Sequence, residues 1–83
     1  MVRIYGTDDC WFCKEAAKVA ESYDLRYTYI NVKENEETVA EFKSLFPEAK
    51  TVPQIVWYNR HIGGYDDFLK EIEDTRNYGD GQV

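Results

Sequence analysis

Two cysteines, Cys10 and Cys13, stand two residues apart in a chain of 83 residues, and they are its whole thiol complement. A pair at this spacing can act as a structural staple, as half of a metal site or as a redox couple. A staple across so short a loop restrains the unfolded chain little, and a cytosolic environment keeps it reduced. Zinc is held by four ligands drawn mostly from Cys and His. Beyond the two sulfurs the chain offers one distant histidine, His61, so no metal site is expected. A C-x-x-C beside a β-α-β pattern reads instead as a redox-active dithiol, in which one thiolate attacks a disulfide and the other resolves the mixed disulfide. That chemistry depends on the elements around the pair.

Those elements are legible from periodicity. Val2 to Tyr5 is a short β-branched and aromatic run closed by Gly6, a first strand. Thr7, Asp8 and Asp9 supply turn and cap residues. From about Phe12 to Tyr23 the apolar positions Phe12, Ala16, Val19, Ala20 and Tyr23 recur at helical spacing. Leu25 to Val32 has the alternation of a second strand. Asn35 caps a second helix marked by Val39, Phe42, Leu45 and Phe46, which must stop near Pro47. Ile55 to Tyr58 is a third strand, Asn59-Arg60 a tight turn, and His61-Ile62 a fourth strand ended by Gly63-Gly64. Asp66 or Asp67 caps a last helix carrying Phe68, Leu69 and Ile72. The expected order is β-α-β-α-β-β-α, an α/β domain over residues 1–76 with a four-stranded mixed sheet flanked by three helices, then a polar tail over 77–83 that frays.

This placement puts Cys10 just before a helix, where unpaired N–H groups and the positive end of the helix dipole stabilise a thiolate. Cys10 is therefore the expected nucleophile. Cys13, one turn on and on the same side of the helix, is the expected resolving thiol. Lys14 favours the thiolates slightly, whereas the charges of Asp8 and Asp9 oppose ionisation of Cys10. Trp11 and Phe12 read equally as packing residues and as contact residues for a partner, with Trp11 the stronger candidate for exposure.

Composition excludes other classes. With 43% hydrophobic and 16% aromatic residues the chain is too apolar for disorder. Its net charge of −6 comes without a cluster of Lys and Arg, so the electrostatic footprint of a nucleic-acid binder is missing. The start MVRIYG lacks the apolar stretch of a signal peptide, and no run approaches the ~20 apolar residues of a membrane span. A cytoplasmic monomer is expected.

Three motifs in order, Cys10-Trp11-Phe12-Cys13, Thr51-Val52-Pro53-Gln54-Ile55 and Gly63-Gly64-Tyr65-Asp66-Asp67, make the chain resemble the glutaredoxins. The resemblance implies a thioredoxin fold with a cis Val52–Pro53 bond. It implies that Val52 pairs through its backbone with an extended substrate beside Cys10. It further implies that Asp67 meets the γ-glutamyl amine of glutathione and that backbone at Asp66 meets its carboxylate. Helix capping by either aspartate is the bland alternative, and Gly64 reads equally as part of a turn. The expected activity is that of a thiol–disulfide oxidoreductase, an electron carrier with no permanently bound cofactor and with glutathione as reductant. It reduces protein disulfides or glutathione mixed disulfides through Cys10 and Cys13, with Trp11, Phe12, Thr51, Val52, Pro53, Gly64, Asp66 and Asp67 binding the substrate. Ribonucleotide reductase is a candidate recipient.

The chain also departs from the family pattern. Many glutaredoxins carry Lys or Arg three residues before the first cysteine, where Thr7 stands, and Pro and Tyr where Trp11 and Phe12 stand. The first departure suits an alternative in which thioredoxin reductase supplies the electrons. The second leaves open a dimer sharing a glutathione-ligated [2Fe–2S] cluster through Cys10. In those glutaredoxins the cation helps bind the glycine carboxylate of glutathione; Lys43 or Lys50 is a candidate substitute for it here, although each reads more readily as a solvated lysine, and His61 and the tyrosines read as packing or surface residues.

Overall fold

The computed structural model describes residues 1–82, with side chains described through Asp74. Its elements are β1 (Val2–Gly6), α1 (Trp11–Ser22), β2 (Tyr27–Asn31), α2 (Glu36–Leu45), β3 (Gln54–Trp57), β4 (Arg60–Gly63) and α3 (Tyr65–Gln82). This is the expected β-α-β-α-β-β-α order. The strands form one sheet in the order β2-β1-β3-β4. β1 and β2 are parallel, Val2 facing Tyr27, whereas β3 runs antiparallel to β1 and β4 antiparallel to β3.

Side chains alternate across the sheet with the two-residue period of a strand, and each face has its own core. On one face Val2, Ile4, Ile55 and Trp57 meet Ala16 and Ala20 of α1 and Phe68 and Ile72 of α3. On the other, Tyr5 and Val56 meet Val32 and Phe46, with Phe42 of α2 and Val52 packed against them. Phe68, Ile4 and Ile55 are fully buried, each stabilising the fold by roughly 1.5–3 kcal/mol through lost apolar surface.

Local chemistry sets the boundaries. Asn35 opens α2 with a reciprocal cap, its side chain accepting from the Thr38 N–H at 2.9 Å while the Thr38 hydroxyl accepts from the Asn35 N–H at 3.1 Å. Tyr58 and Asn59 both adopt left-handed φ, 55° and 62°, so the β3–β4 turn is the two-residue kind that matches strand twist. The turn therefore falls one residue earlier than the sequence pattern suggested, and Arg60, expected in the turn, pairs with Trp57 in the ladder.

Two expectations for α1 are corrected. Its cap is Cys10 itself rather than a residue of the Thr7–Asp9 segment, because the cysteine sulfur can accept a helix N–H. Phe12 and Tyr23, counted on the apolar face, are exposed, and Cys13 joins Ala16 and Ala20 on the buried face instead. At the other end of the chain α3 runs to Gln82, past the expected boundary at residue 76. The side chains of residues 75–82, and Val83 altogether, lie outside the described residues, and the expected fraying of the tail falls there.

Candidate active site

The site begins where β1 hands the chain to α1. Cys10 occupies the N-cap with extended backbone, φ −103° and ψ 111°, and its sulfur accepts the N–H of Cys13 at 3.1 Å. A helix N-terminus leaves such N–H groups unpaired, and one aimed at sulfur favours the anion. The Cys10 and Cys13 Cα atoms are 5.2 Å apart and a disulfide joins the side chains. The two sulfurs differ in access: Cys10 is partly exposed, whereas Cys13 is fully buried.

Cys13 is buried because β1 ends in a residue without a side chain. A Cβ on Gly6 would lie 2.7 Å from the Cys13 sulfur and 2.8 Å from the Tyr29 hydroxyl oxygen. Tyr29 in turn donates its hydroxyl to the Thr7 carbonyl at 2.6 Å, tying β2 to the loop that carries Cys10. Burial, and then the charges of Asp8 and Asp9, push the Tyr29 hydroxyl above its ordinary pKa. The Thr7 hydroxyl donates to Asp9 at 3.0 Å, and this bond is the main reason the Asp9 carboxyl lies below its ordinary value.

The second wall comes from the segment before β3. The Val52–Pro53 bond is cis, as the resemblance implied, and the Val52 carbonyl oxygen stands 3.8 Å from the Cys10 sulfur. A reduced Cys10 can donate its S–H there. Gln54, largely buried at the start of β3, braces this segment: its amide nitrogen donates to the Thr51 carbonyl at 2.9 Å and its amide oxygen lies 2.7 Å from His61 Nε2. His61 also packs its ring on Phe46 at 4.6 Å, the packing role expected of it.

The third wall is the start of α3. Gly63 has φ +122°, the left-handed region that favours glycine, and turns the chain from β4 into the helix. The Asp67 carboxylate accepts the Gly64 N–H at 3.2 Å and so caps the first turn. Between the three walls lies a cavity of about 320 Å³. Phe12 lines it from α1, Thr51, Val52 and Pro53 from the cis-proline segment, and Gly64, Asp66 and Asp67 from α3. The fold thus gathers every predicted binding residue at one place except Trp11, which stands outside the lining, 63% exposed, with its ring edge-on to Phe12 at 5.1 Å.

Sequence reasoning missed Tyr65, which lines the cavity with its ring 5.6 Å from that of Phe12. Its place between Gly64 and Asp66 in the third motif was the available signal. A second groove of about 330 Å³ shares Thr51 and Val52 with the first, is lined also by Thr7 and is rimmed by Lys33, Lys43 and Lys50. The structure thus brings Lys43 and Lys50, the sequence candidates for the missing cation, to the same groove as Thr7; Lys33 was not foreseen, because the three lysines lie far apart in sequence. Among the described residues no cluster of three or more metal-binding side chains occurs, and no helix is long and apolar enough to cross a membrane.

The family model for glutaredoxin matches residues 2–62. The chain is 35% identical over 80 residues to glutaredoxin 1 of Salmonella typhimurium strain LT2, covering 89% of this chain and 92% of that one. The chain belongs to the glutaredoxin family. Like its glutaredoxin relatives, it is a thiol–disulfide oxidoreductase. The structure of reduced Escherichia coli glutaredoxin superposes with a TM-score of 0.75 at 28% identity, over 92% of this chain and 96% of that one. A buckwheat glutaredoxin in complex with glutathione has the same fold, with a TM-score of 0.79 at 22% identity over 89% of this chain and 69% of that one.

Proposed function

We propose that this glutaredoxin reduces protein disulfides or glutathione mixed disulfides and is itself reduced by glutathione. The observation that carries the reading is the cavity bounded by Phe12, Val52, Gly64 and Asp67, beside a partly exposed Cys10 whose partner sulfur is buried. The Cys10 thiolate attacks one sulfur of the substrate, the other sulfur leaves as a thiol, and a mixed disulfide forms. Cys13 then attacks Cys10, the Cys10–Cys13 disulfide forms, and the second substrate thiol is released. Two glutathione molecules, oxidised together to glutathione disulfide, return both cysteines to thiols.

In this reading Val52 orients the substrate backbone beside Cys10. One carboxylate oxygen of Asp67 caps α3, and a carboxylate has a second oxygen for the γ-glutamyl amine. Backbone at Gly64 and Asp66 takes the adjoining carboxylate, Thr51 and Pro53 shape the wall, and Trp11 and Phe12 offer aromatic surface to the partner. The protein works as a cytoplasmic monomer without a bound cofactor, and ribonucleotide reductase is a candidate recipient.

One observation favours a second electron source. Thr7, where many relatives carry a cation, is buried and engaged with Asp9, which suits reduction by thioredoxin reductase. Reduction of a glutathione mixed disulfide, with glutathione, glutathione reductase and NADPH supplied, tests the proposal. Activity that is abolished by Cys10→Ser is expected, and activity retained in part by Cys13→Ser, in which the thiol of a free glutathione attacks the mixed disulfide with glutathione at Cys10, forming glutathione disulfide and releasing the Cys10 thiol. No activity in the native chain overturns glutathione coupling, and activity with thioredoxin reductase and NADPH in its place then supports the second source.

A further inference from the structure

His61 is the chain's single histidine, and it stands at the surface on β4 with its ring against Phe46 at 4.6 Å. Its Nε2 lies 2.7 Å from the side-chain oxygen of Gln54. The other end of Gln54 settles which way that bond runs. The Thr51 carbonyl can only accept, so the Gln54 atom 2.9 Å from it is the amide nitrogen, and the amide oxygen faces His61. An amide oxygen also only accepts, so Nε2 carries a proton and donates it. With Gln54 only 8% exposed, loss of that donor leaves a buried oxygen unpaired.

The series ends on a peptide group at the redox site. The Thr51 carbonyl and the Val52 N–H belong to one planar unit, trans in the structure, so they point in opposite directions. Gln54 holds the carbonyl from one side and thereby aims the Val52 N–H to the other. Among the described residues that N–H makes no hydrogen bond, and Val52 lines the cavity beside Cys10. Three donors thus run in series, His61 to Gln54, Gln54 to Thr51, and Val52 outward, an arrangement in which each bond polarises the next. His61 itself lines no part of that cavity; it borders a separate hollow with Leu45, Pro47 and Glu48.

We propose that His61 is a positioning residue for the reaction: through Gln54 it sets the direction and the donor strength of the Val52 N–H that receives a backbone carbonyl of the substrate. The inference rests on the reading of Val52 as the strand-like partner of the substrate, and adds to it the residues that hold that partner in place. It also states what the series discriminates. A disulfide carrying a peptide carbonyl beside its cysteine gains from the aimed N–H, and a disulfide without peptide groups does not.

The test follows oxidation of the reduced protein, as loss of alkylatable thiols, by two disulfides. Oxidised glutathione carries peptide groups, and hydroxyethyl disulfide carries none. With either, the Cys10 thiolate bonds to one substrate sulfur and the other leaves as a thiol; Cys13 then bonds to Cys10 and the second substrate thiol leaves. His61→Phe keeps a ring against Phe46 and removes the N–H. It should slow the reaction with oxidised glutathione about fivefold and leave that with hydroxyethyl disulfide within about twofold. His61→Gln, which brings an amide N–H to the reach of Nε2, should recover the native rate within about twofold. Gln54→Met cuts the series in the middle, so adding His61→Phe to it should slow the reaction no further. A His61→Phe chain slowed with both disulfides alike, or with neither, overturns the proposal. So does a His61→Gln chain as slow as His61→Phe, or full additivity of the Gln54 and His61 substitutions. A native chain that reacts with hydroxyethyl disulfide and not with oxidised glutathione overturns the glutathione reading and this proposal with it. A native chain that reacts with neither, or a Cys10→Ser chain that reacts as fast as the native one, overturns the oxidoreductase assignment itself.

Discussion

Gly6 is the floor on which Cys13 rests. A Cβ at residue 6 would stand 2.7 Å from both the Cβ and the sulfur of Cys13, at the point where the Tyr29 hydroxyl also closes in. The last residue of β1 thereby fixes the depth of the second sulfur, and through α1 the position of the first.

Gly6→Ala should destabilise the oxidised protein by about 1–3 kcal/mol, because a backbone strand and a buried cysteine must part to admit one methyl group. Urea unfolding of the two proteins checks this. An unchanged midpoint would show that the close contact relaxes at no cost.

Asp67 combines a cap with a charge, and two substitutions separate them. Asp67→Asn keeps an acceptor for the Gly64 N–H and should leave stability within about 0.5 kcal/mol, whereas Asp67→Ala should lose about 1 kcal/mol. Both should raise the KM for glutathione. Equal KM values in Asp67→Asn and the native chain would remove the carboxylate from the glutathione site and leave it a cap alone.

Tyr29 gives an alkaline signature. Its folded pKa is raised above the ordinary value of 10.0, chiefly by burial, so the folded state holds the phenol proton more tightly than the unfolded state does. The resulting stability is fully present below the unfolded pKa and is lost as pH rises from about 10 through the folded value. Tyr27, raised by its bond to Glu21, contributes in the same direction. Tyr29→Phe should flatten the decline in unfolding free energy between about pH 9 and 11 without abolishing it. It should also cost about 1 kcal/mol at neutral pH through the lost bond to the Thr7 carbonyl. An alkaline slope identical in the two proteins is the contrary result.

Asn59 takes φ 62° in the β3–β4 turn. Asn59→Gly should raise stability by about 0.5 kcal/mol, since the second position of this turn favours glycine. Thermal unfolding reads the change, and a lowered midpoint would mean that the asparagine side chain has a role the backbone does not explain.

Much of this was written in the chain. The element order followed from periodicity, because alternating Val2, Ile4 and the spaced Ala16 and Ala20 can bury an apolar face in only one kind of element each. The three motifs located the walls of the cavity beside Cys10. What stayed hidden has physical causes. The hairpin turn depended on left-handed φ at Tyr58, a residue whose β propensity argues for a strand. Phe12 sits at helical spacing with Ala16, yet it is exposed with its ring against Tyr65, and it is Cys13 that lies over Gly6 on the buried face. The lysine rim unites residues from the loop after β2, from α2 and from the segment before β3, which only the folded chain brings together.

The buried state of Cys13 has a kinetic meaning. A sulfur with no exposed surface cannot meet a second molecule, so oxidant and reductant must both approach Cys10, and they cannot do so at once. Turnover through such a pair is alternating: one partner leaves before the next arrives, and the enzyme carries the two electrons between visits. Rate plots at varied concentrations of the two substrates then run parallel, the mark of a ping-pong cycle. The donor of electrons and their acceptor never need to recognise each other, only the same atom in succession.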